Sequence, residues 1–303
     1  MWLSVHWALN LTLSDLWYFA SDGQMPLLWC NKSGLIKGNL CMRITKRDIR
    51  IMQKVNQCRW LSTTQLKRLF FPDTTLRAVN KRLKILVDTK YLFAHQPSPT
   101  HEIYFRLGHM GKTYLIENSN FNSATIHLPR KFPAQLKHFS KLNDLRIALE
   151  ALVLKKQARM NFLYHDRDLK GLIGESAIIP DILTSFSLFE KQCEKKVILA
   201  IEYDAGTENP QYFGRDKMKK YLRELENQHP LINQLSALVI FADSQKRVVS
   251  LLKSSLKYLD NRLKYLFASI DDLEIQADLD SPIYINPQLE TGINGLVLQK
   301  LLN

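Results

Sequence analysis

An uncharged run of residues ends in two acids near the middle of the chain. Val197-Ile198-Leu199-Ala200-Ile201 is followed by Glu202-Tyr203-Asp204. A run so apolar and so rich in β-branched residues is typical of a strand that is buried on both faces. Because side chains alternate along a strand, Glu202 and Asp204 should point to the same side. An unpaired buried carboxylate is costly, so this strand end needs partners and indicates a site.

A further acid stands in a neighbouring predicted strand, Ile179-Pro180-Asp181-Ile182-Leu183. If this strand pairs with the Glu202 strand, Asp181, Glu202 and Asp204 could converge within reach of one divalent cation. The three residues are therefore candidate metal ligands. The alternative is that they are charges paired with cations at strand ends, without any chemistry.

The positive charge of the chain is concentrated in one block. Residues 42–135 contain 17 Lys+Arg and 5 Asp+Glu, which gives +12 of the total net charge of +13. Such a block favours a polyanionic partner, most often nucleic acid.

The four cysteines form no C-x-x-C pair and fit reduced thiols in a cytoplasmic protein. We expect no membrane partner, since no apolar stretch is long enough to span a bilayer.

The length of 303 residues predicts two domains. We place a winged-helix domain at 42–117, a linker at 118–133 and an α/β domain at 134–303. Residues 1–41 are rich in tryptophan but lack periodicity, and they have two interpretations. They are either a small helical extension that packs on the core, or a loosely ordered segment upstream of a native start at Met42, which we favour.

The first domain shows three helix starts followed by a hairpin. Thr45 with Asp48, and Ser62 with Gln65, have capping-box spacing. A third helix is predicted after a cap at Asp73 or Thr74. Its apolar stripe is Leu76, Val79, Leu83 and Leu86. Residues 91–107 are predicted to form a hairpin around a proline-rich turn. Three helices and a hairpin are typical of a winged helix-turn-helix.

The other face of the third helix carries the candidate DNA-binding residues Thr75, Arg77, Asn80, Lys81 and Lys84. Their cations suit phosphates, and Arg and Asn can read base edges in a major groove. We therefore expect double-stranded DNA as the partner, with a homodimer on a two-fold site. The alternative is that these side chains only keep a surface helix soluble, or that the domain docks a protein.

The second domain predicts a helix over 134–158 and a strand near 162–164. The Asp181 and Glu202 strands follow, then a basic helix near 217–225, a strand at 237–241, a helix near 248–258 and a strand at 265–269. Helix, three strands, helix, strand is typical of an α/β core with a mixed sheet, which makes the whole chain α+β.

These motifs, in this order, resemble two groups of proteins. Pro180-Asp181 and the acid at Glu202 resemble the PD-(D/E)xK nuclease superfamily, whose core is αβββαβ. More narrowly, the chain resembles the replication-relaxation family of plasmid and mobile-element proteins. The residues that carry this resemblance are Thr45–Asp48, Leu61–Leu66, His138, Asn143-Asp144, Pro180-Asp181, Glu202-x-Asp204-x-Gly206-Thr207-Glu208 and Lys217-x-x-x-Tyr221.

The resemblance implies a DNA-binding protein that acts in plasmid or mobile-element replication and DNA relaxation, with replication or relaxation proteins of the same element as partners. The alternative is a Mg²⁺-dependent DNA endonuclease or nickase with Asp181, Glu202, Asp204 and Lys217 as catalytic residues. One departure bears on this alternative: Asp204 stands where the nuclease superfamily has a lysine. Lys217 could take over that role, or the site could have lost its chemistry.

Overall fold

The computed structural model describes residues 43–118, 126, 128–173, 178–190 and 193–271. The expectation for residues 1–41 lies outside this range, as does part of the expected linker. From Thr45 onward, the described residues belong to one compact unit.

The N-terminal part begins with three helices, α1 (Lys46–Cys58), α2 (Thr63–Phe70) and α3 (Leu76–Asp88). Both predicted capping boxes are present, since Thr45 and Asp48 bond each other's backbone N–H groups and Ser62 and Gln65 do the same. Each box satisfies N–H groups that the first turn of a helix leaves without partners. The starts of α1 and α2 are therefore fixed by local sequence.

The start of α3 differs from the prediction. Its cap is Thr75, whose hydroxyl accepts a hydrogen bond from the backbone N–H of Ala78, and neither Asp73 nor Thr74 fills that role. Leu76, placed on the apolar stripe from sequence, is the first residue of α3 and is 51% exposed. Val79, Leu83 and Leu86 are buried as expected.

A small antiparallel sheet accompanies these helices. It consists of β1 (Leu61–Ser62), β2 (Leu92–His95) and β3 (Tyr104–Leu107), with β3 between the other two. β2 and β3 form the predicted hairpin, in which Phe93 lies opposite Arg106. A helix that the sequence did not indicate, α4 (His109–Asn118), follows the hairpin.

The C-terminal part is built on a five-stranded mixed sheet. In chain order its elements are α5 (Leu136–Lys155), β4 (Arg159–His165), α6 (Asp166–Ile173), β5 (Ile182–Glu190), β6 (Cys193–Asp204), α7 (Pro210–Tyr212), a π-helix (Phe213–Met218), α8 (Lys219–Glu226), α9 (Pro230–Asn233), β7 (Ala237–Ala242), α10 (Gln245–Ser255), a 3₁₀ turn (Leu256–Tyr258) and β8 (Tyr265–Ser269). The strands lie in sequence order. β5 is antiparallel to both β4 and β6, whereas β6, β7 and β8 run parallel to one another. The predicted mixed α/β architecture is confirmed.

The central strand β6 is buried on both faces, as its apolar run predicts. Leu199 and Ile201 pack on α5, whereas Ile198 and Ala200 pack on the layer of α8 and α10. Glu202 and Asp204 continue the second set, so they face α8 and α10. Among the described residues, no helix is long and apolar enough to cross a membrane.

Candidate functional site

Asp181 lies immediately before β5 and beside the end of β6. The sequence placed it inside a strand, but β5 begins at Ile182, which pairs with Ile201. The Asp181 carboxylate accepts a hydrogen bond of 2.8 Å from the backbone N–H of Tyr203. Its Oδ2 atom also lies 3.5 Å from Nε2 of His138, in the first turn of α5. Two elements, β6 and α5, therefore hold this carboxylate.

Glu202 is completely buried and has one partner for each carboxylate oxygen. Oε2 accepts a hydrogen bond of 2.6 Å from Nζ of Lys217, and Oε1 accepts one of 2.8 Å from the hydroxyl of Tyr221. The same Lys217 Nζ lies 3.9 Å from Oδ2 of Asp181. The structure thus brings Asp181, Glu202 and Lys217 together, and we call these three residues the carboxylate–lysine cluster.

Burial and charge act in opposite directions on the pKa values of the cluster. Burial raises the pKa of Glu202 to about 7, although Lys217 opposes this. Burial also favours the neutral form of Asp181, but the hydrogen bond from His138 and the charge of Lys217 outweigh it and lower the pKa of Asp181 to about 2. The same carboxylates outweigh burial at Lys217 and raise its pKa.

A π-helix places Lys217 in the cluster. The six residues Phe213–Met218 form i→i+5 turns between α7 and α8. Such π-helices are rare in proteins as a whole, and those that occur are often at functional sites. The π-helix packs closely on α10, since a Cβ atom on Gly214 would lie 2.2 Å from the carbonyl oxygen of Ser254. Lys217 of this π-helix points to the cluster, whereas its neighbours Arg215 and Asp216 are exposed.

Asp204 shares the face of Glu202 but has different partners. Its Oδ2 accepts a hydrogen bond of 2.6 Å from Nε of Arg247 in α10, and its Oδ1 accepts one of 2.9 Å from the backbone N–H of Gly206. Within the described ranges, no group of three or more His, Cys, Asp or Glu side chains could hold a metal ion. Mg²⁺ binding stays a prediction, and Asp181 and Glu202 are the residues that could supply oxygen ligands.

Sequence reasoning missed several members of this site. His138 and Tyr221 belong to the family motifs, but neither was given a role at the acids. Arg247 was not singled out, because its partner Asp204 lies 43 residues earlier in the chain. Behind the cluster, Asp243 pairs with the hydroxyl of Tyr203 and with Lys137. No short-range signal links these residues.

Two charged residues of the neighbouring elements have partners outside the cluster. The carboxylate of Glu150 pairs with Lys54 of α1 and with Arg146. Arg215 is exposed and pairs with Asp216.

The predicted DNA-binding side chains on α3 lie together on an exposed face. Arg77, Asn80, Lys81 and Lys84 are exposed, and Thr75 is exposed at the helix cap. Lys84 pairs with Asp88 at 3.2 Å, whereas Arg77 and Lys81 have no partner among the residues that the structure describes. The opposite face is anchored by Arg82, which pairs with the buried Asp48 of α1.

Helix α5 contacts both the N-terminal part and the carboxylate–lysine cluster. Asn143 donates a hydrogen bond of 2.8 Å to the backbone carbonyl of Trp60. Asp144 accepts hydrogen bonds from Gln65 at 3.1 Å and from Arg68 at 2.6 Å, both in α2. Since His138 on the same helix contacts Asp181, all three family-motif residues of α5 join elements that are distant in sequence.

Comparison with known families identifies the chain. The profile of the replication-relaxation family matches residues 52–231, a range that includes α3, both acids of the cluster and Lys217. The chain belongs to the replication-relaxation family. The resemblance to this family, inferred from the sequence motifs, is thereby confirmed. No curated protein and no solved structure matches the chain. The family match ends before β7, so β7, α10 and β8 of this replication-relaxation protein lie outside it.

Proposed function

We propose that this replication-relaxation protein binds duplex DNA through a winged helix and acts in the replication and DNA relaxation of a plasmid or other mobile element. The observation that carries the proposal is the exposed face of α3, where Arg77, Asn80 and Lys81 have no protein partner within the described residues. Unpaired cations beside an amide group suit contacts to phosphates and base edges.

The order of the surrounding elements supports a winged-helix assignment. The chain runs α1, β1, α2, α3, β2, β3, and the hairpin strand β3 pairs with both β1 and β2. The buried ion pair between Asp48 and Arg82 fixes α3 on α1. This arrangement holds the basic face of α3 outward, as insertion into a major groove requires.

The test is the salt dependence of duplex binding, measured by fluorescence anisotropy with DNA from the element's own replication region. Replacing Arg77 and Lys81 by Ala should weaken binding and lower the slope of log affinity against log salt by about 2, because two phosphate contacts are lost. The control variant replaces Lys170 and Lys196, two exposed lysines of the C-terminal part, and should keep the wild-type slope. Unchanged affinity in the Arg77 and Lys81 variant would refute the groove assignment.

A second candidate function is metal-dependent nicking or cleavage of DNA by a PD-(D/E)xK-like C-terminal domain. The specific observation in its favour is the convergence of Asp181 and Glu202 on Lys217. Carboxylate oxygens are ligands that Mg²⁺ accepts, and the ion often takes only one or two of them from protein. A bound ion would supply charge neutralisation and an activated water. Lys217 would hold the Glu202 carboxylate and face the phosphate.

The nicking assay follows supercoiled plasmid with Mg²⁺ or Mn²⁺ present. Wild type is compared with Asp181→Asn and Glu202→Gln, after all three are shown to fold and to bind duplex DNA equally. Asp216→Asn is the control, since Asp216 lies next to Lys217 but is exposed. Nicking by wild type and by Asp216→Asn, but not by Asp181→Asn or Glu202→Gln, supports the nuclease candidate. If no protein nicks DNA that it demonstrably binds, this candidate fails and the DNA-binding proposal stands.

A further inference from the structure

We propose that the C-terminal part binds single-stranded DNA on a surface around the π-helix. This π-helix surface consists of Tyr212, Arg215, Lys219, Lys220, Lys257 and Tyr258. The inference rests on the proposed function only in taking DNA as the molecule on which this chain acts. The winged helix would hold duplex, and the π-helix surface would hold a strand that has been separated from it.

Two cation–aromatic pairs lie on this surface. The guanidinium carbon of Arg215 is 4.7 Å from the ring centroid of Tyr212, whose side chain is half exposed. Nζ of Lys257 is 5.0 Å from the ring centroid of Tyr258. A partly exposed ring beside a cation offers an unpaired base a stacking surface and its phosphate a counter-charge.

The two pairs belong to one surface because the π-helix and α10 are packed tightly. Gly214 lies against the backbone of Ser254, and the 3₁₀ turn that carries Lys257 and Tyr258 follows directly. The π-helix also contacts the 3₁₀ turn directly, so Arg215 and Tyr258 belong to neighbouring segments, although they are 43 positions apart in the chain.

The charge of the surface suits a nucleic-acid backbone. Arg215, Lys219, Lys220 and Lys257 are all exposed. The acid on the same turn, Asp216, pairs with Arg215. The C-terminal part as a whole is nearly neutral, with 23 Lys+Arg and 22 Asp+Glu in residues 136–303. A local excess of cations in a neutral domain indicates an anionic ligand at this surface.

Partly exposed rings favour single strands over duplex, because a duplex hides the faces of its bases in the stack. Lys217 of the same π-helix points inward to Asp181 and Glu202. One side of the π-helix therefore contributes to the carboxylate–lysine cluster, and the other side contributes to the π-helix surface. A strand on the π-helix surface would therefore pass beside the carboxylate–lysine cluster.

The experiment measures binding of labelled oligo(dT) and of a labelled duplex by the full chain. Replacing Tyr212 by Ala and Lys257 by Ala should weaken oligo(dT) binding about tenfold, because a stacked base and a phosphate contact are lost. Duplex binding should be unchanged. The Phe189→Ala variant is the matched control, because Phe189 is 56% exposed and has Arg159 at 5.7 Å, but it belongs to β5. It should keep wild-type binding to both probes.

The outcomes separate this inference from the proposed function. The Arg77 and Lys81 variant should lose duplex binding and keep oligo(dT) binding. If it loses both, the winged helix makes the contacts to both kinds of DNA, and the inference is overturned. Failure of wild type to bind oligo(dT), or unchanged binding in the Tyr212 and Lys257 variant, overturns it as well. Equal loss of duplex and oligo(dT) in that variant would mean a general DNA surface rather than a single-strand site. Thermal unfolding confirms that each variant is folded.

Discussion

Lys217 donates a hydrogen bond of 2.6 Å to Glu202, and this bond joins the π-helix to the central strand of the sheet. In the nuclease superfamily that the domain resembles, the lysine belongs to the same strand as the acid. Here that strand position is Asp204, whose carboxylate is held by Arg247. The positive charge beside Glu202 thus comes from a different element, and Asp204 has a cation of its own.

The first prediction concerns this ion pair. Replacing Lys217 by Met removes the cation that favours the charged form of Glu202, so this buried side chain must either stay charged without a partner or take up a proton. Removing one partner of a fully buried pair costs about 3–5 kcal/mol, and since the Lys217 side chain is partly exposed we expect a loss of about 2 kcal/mol in the free energy of unfolding. Urea denaturation at neutral pH measures it. The double variant Lys217→Met with Glu202→Gln should recover most of the loss, and a single variant as stable as wild type would contradict the prediction.

The second prediction concerns acid sensitivity. The pKa of Asp181 is lowered from 3.8 to about 2, because the hydrogen bond from His138 and the charge of Lys217 outweigh burial. The folded state therefore releases this proton more readily than the unfolded state. Stability from the Asp181 carboxylate is fully present above about pH 4 and is lost as the pH falls towards 2, by about 2.5 kcal/mol in all.

Urea denaturation at a series of pH values checks this expectation. The Asp181→Asn variant should lose less stability than wild type between pH 4 and pH 2, because it has no carboxylate to protonate there. Asp73→Asn, an exposed substitution in the turn before α3, is the control and should follow the wild-type curve. Parallel curves for wild type and Asp181→Asn would show that the native contacts of Asp181 do not lower its pKa.

The third prediction concerns Gln65, which caps α2 and also contacts α5. Its Oε1 accepts a hydrogen bond from the backbone N–H of Ser62, while its Nε2 donates to Asp144 at 3.1 Å and to the carbonyl oxygen of Ser140 at 3.0 Å. Gln65→Glu keeps the cap, since Glu suits this position, but places a carboxylate against Asp144. We expect a loss of about 1–3 kcal/mol in the free energy of unfolding.

A double-mutant cycle with Asp144→Asn separates the two roles of Gln65. The second substitution removes the repulsion and should restore part of the stability. If Gln65→Glu costs nothing in urea denaturation, then the contact between α2 and α5 does not contribute to stability in solution.

The fourth prediction concerns the π-helix. Replacing an exposed helical glycine by Ala usually stabilises a protein by up to about 1 kcal/mol. At Gly214 the added Cβ would lie 2.2 Å from the carbonyl oxygen of Ser254, so the π-helix must shift away from α10. We expect Gly214→Ala to destabilise by about 1–3 kcal/mol instead.

Thermal unfolding tests this prediction, because the Gly214→Ala variant should unfold at a lower temperature than wild type. Ser250→Ala, in the same region of α10, is the control and should stay within about 0.5 kcal/mol of wild type. A stabilised Gly214→Ala variant would mean that the π-helix and α10 are not in close contact.

Local sequence determined the parts of this protein that depend on near neighbours. The caps at Thr45 and Ser62, the burial of Val79 and Leu83, and the strand character of Val197–Ile201 all follow from residues a few positions apart. The family was also readable from the order of short motifs. Capping hydrogen bonds and side-chain periodicity act within one or two turns, so they can be read without the fold.

Tertiary structure alone decided which partners the charged residues have. The sequence grouped Asp181, Glu202 and Asp204, but the fold gives the first two to Lys217 and the third to Arg247. It also assigns Glu150 to Lys54, which comes 96 residues earlier. The physical reason is that a buried charge needs a counter-charge from whichever element packs against it. That packing is set by the whole core and not by sequence spacing.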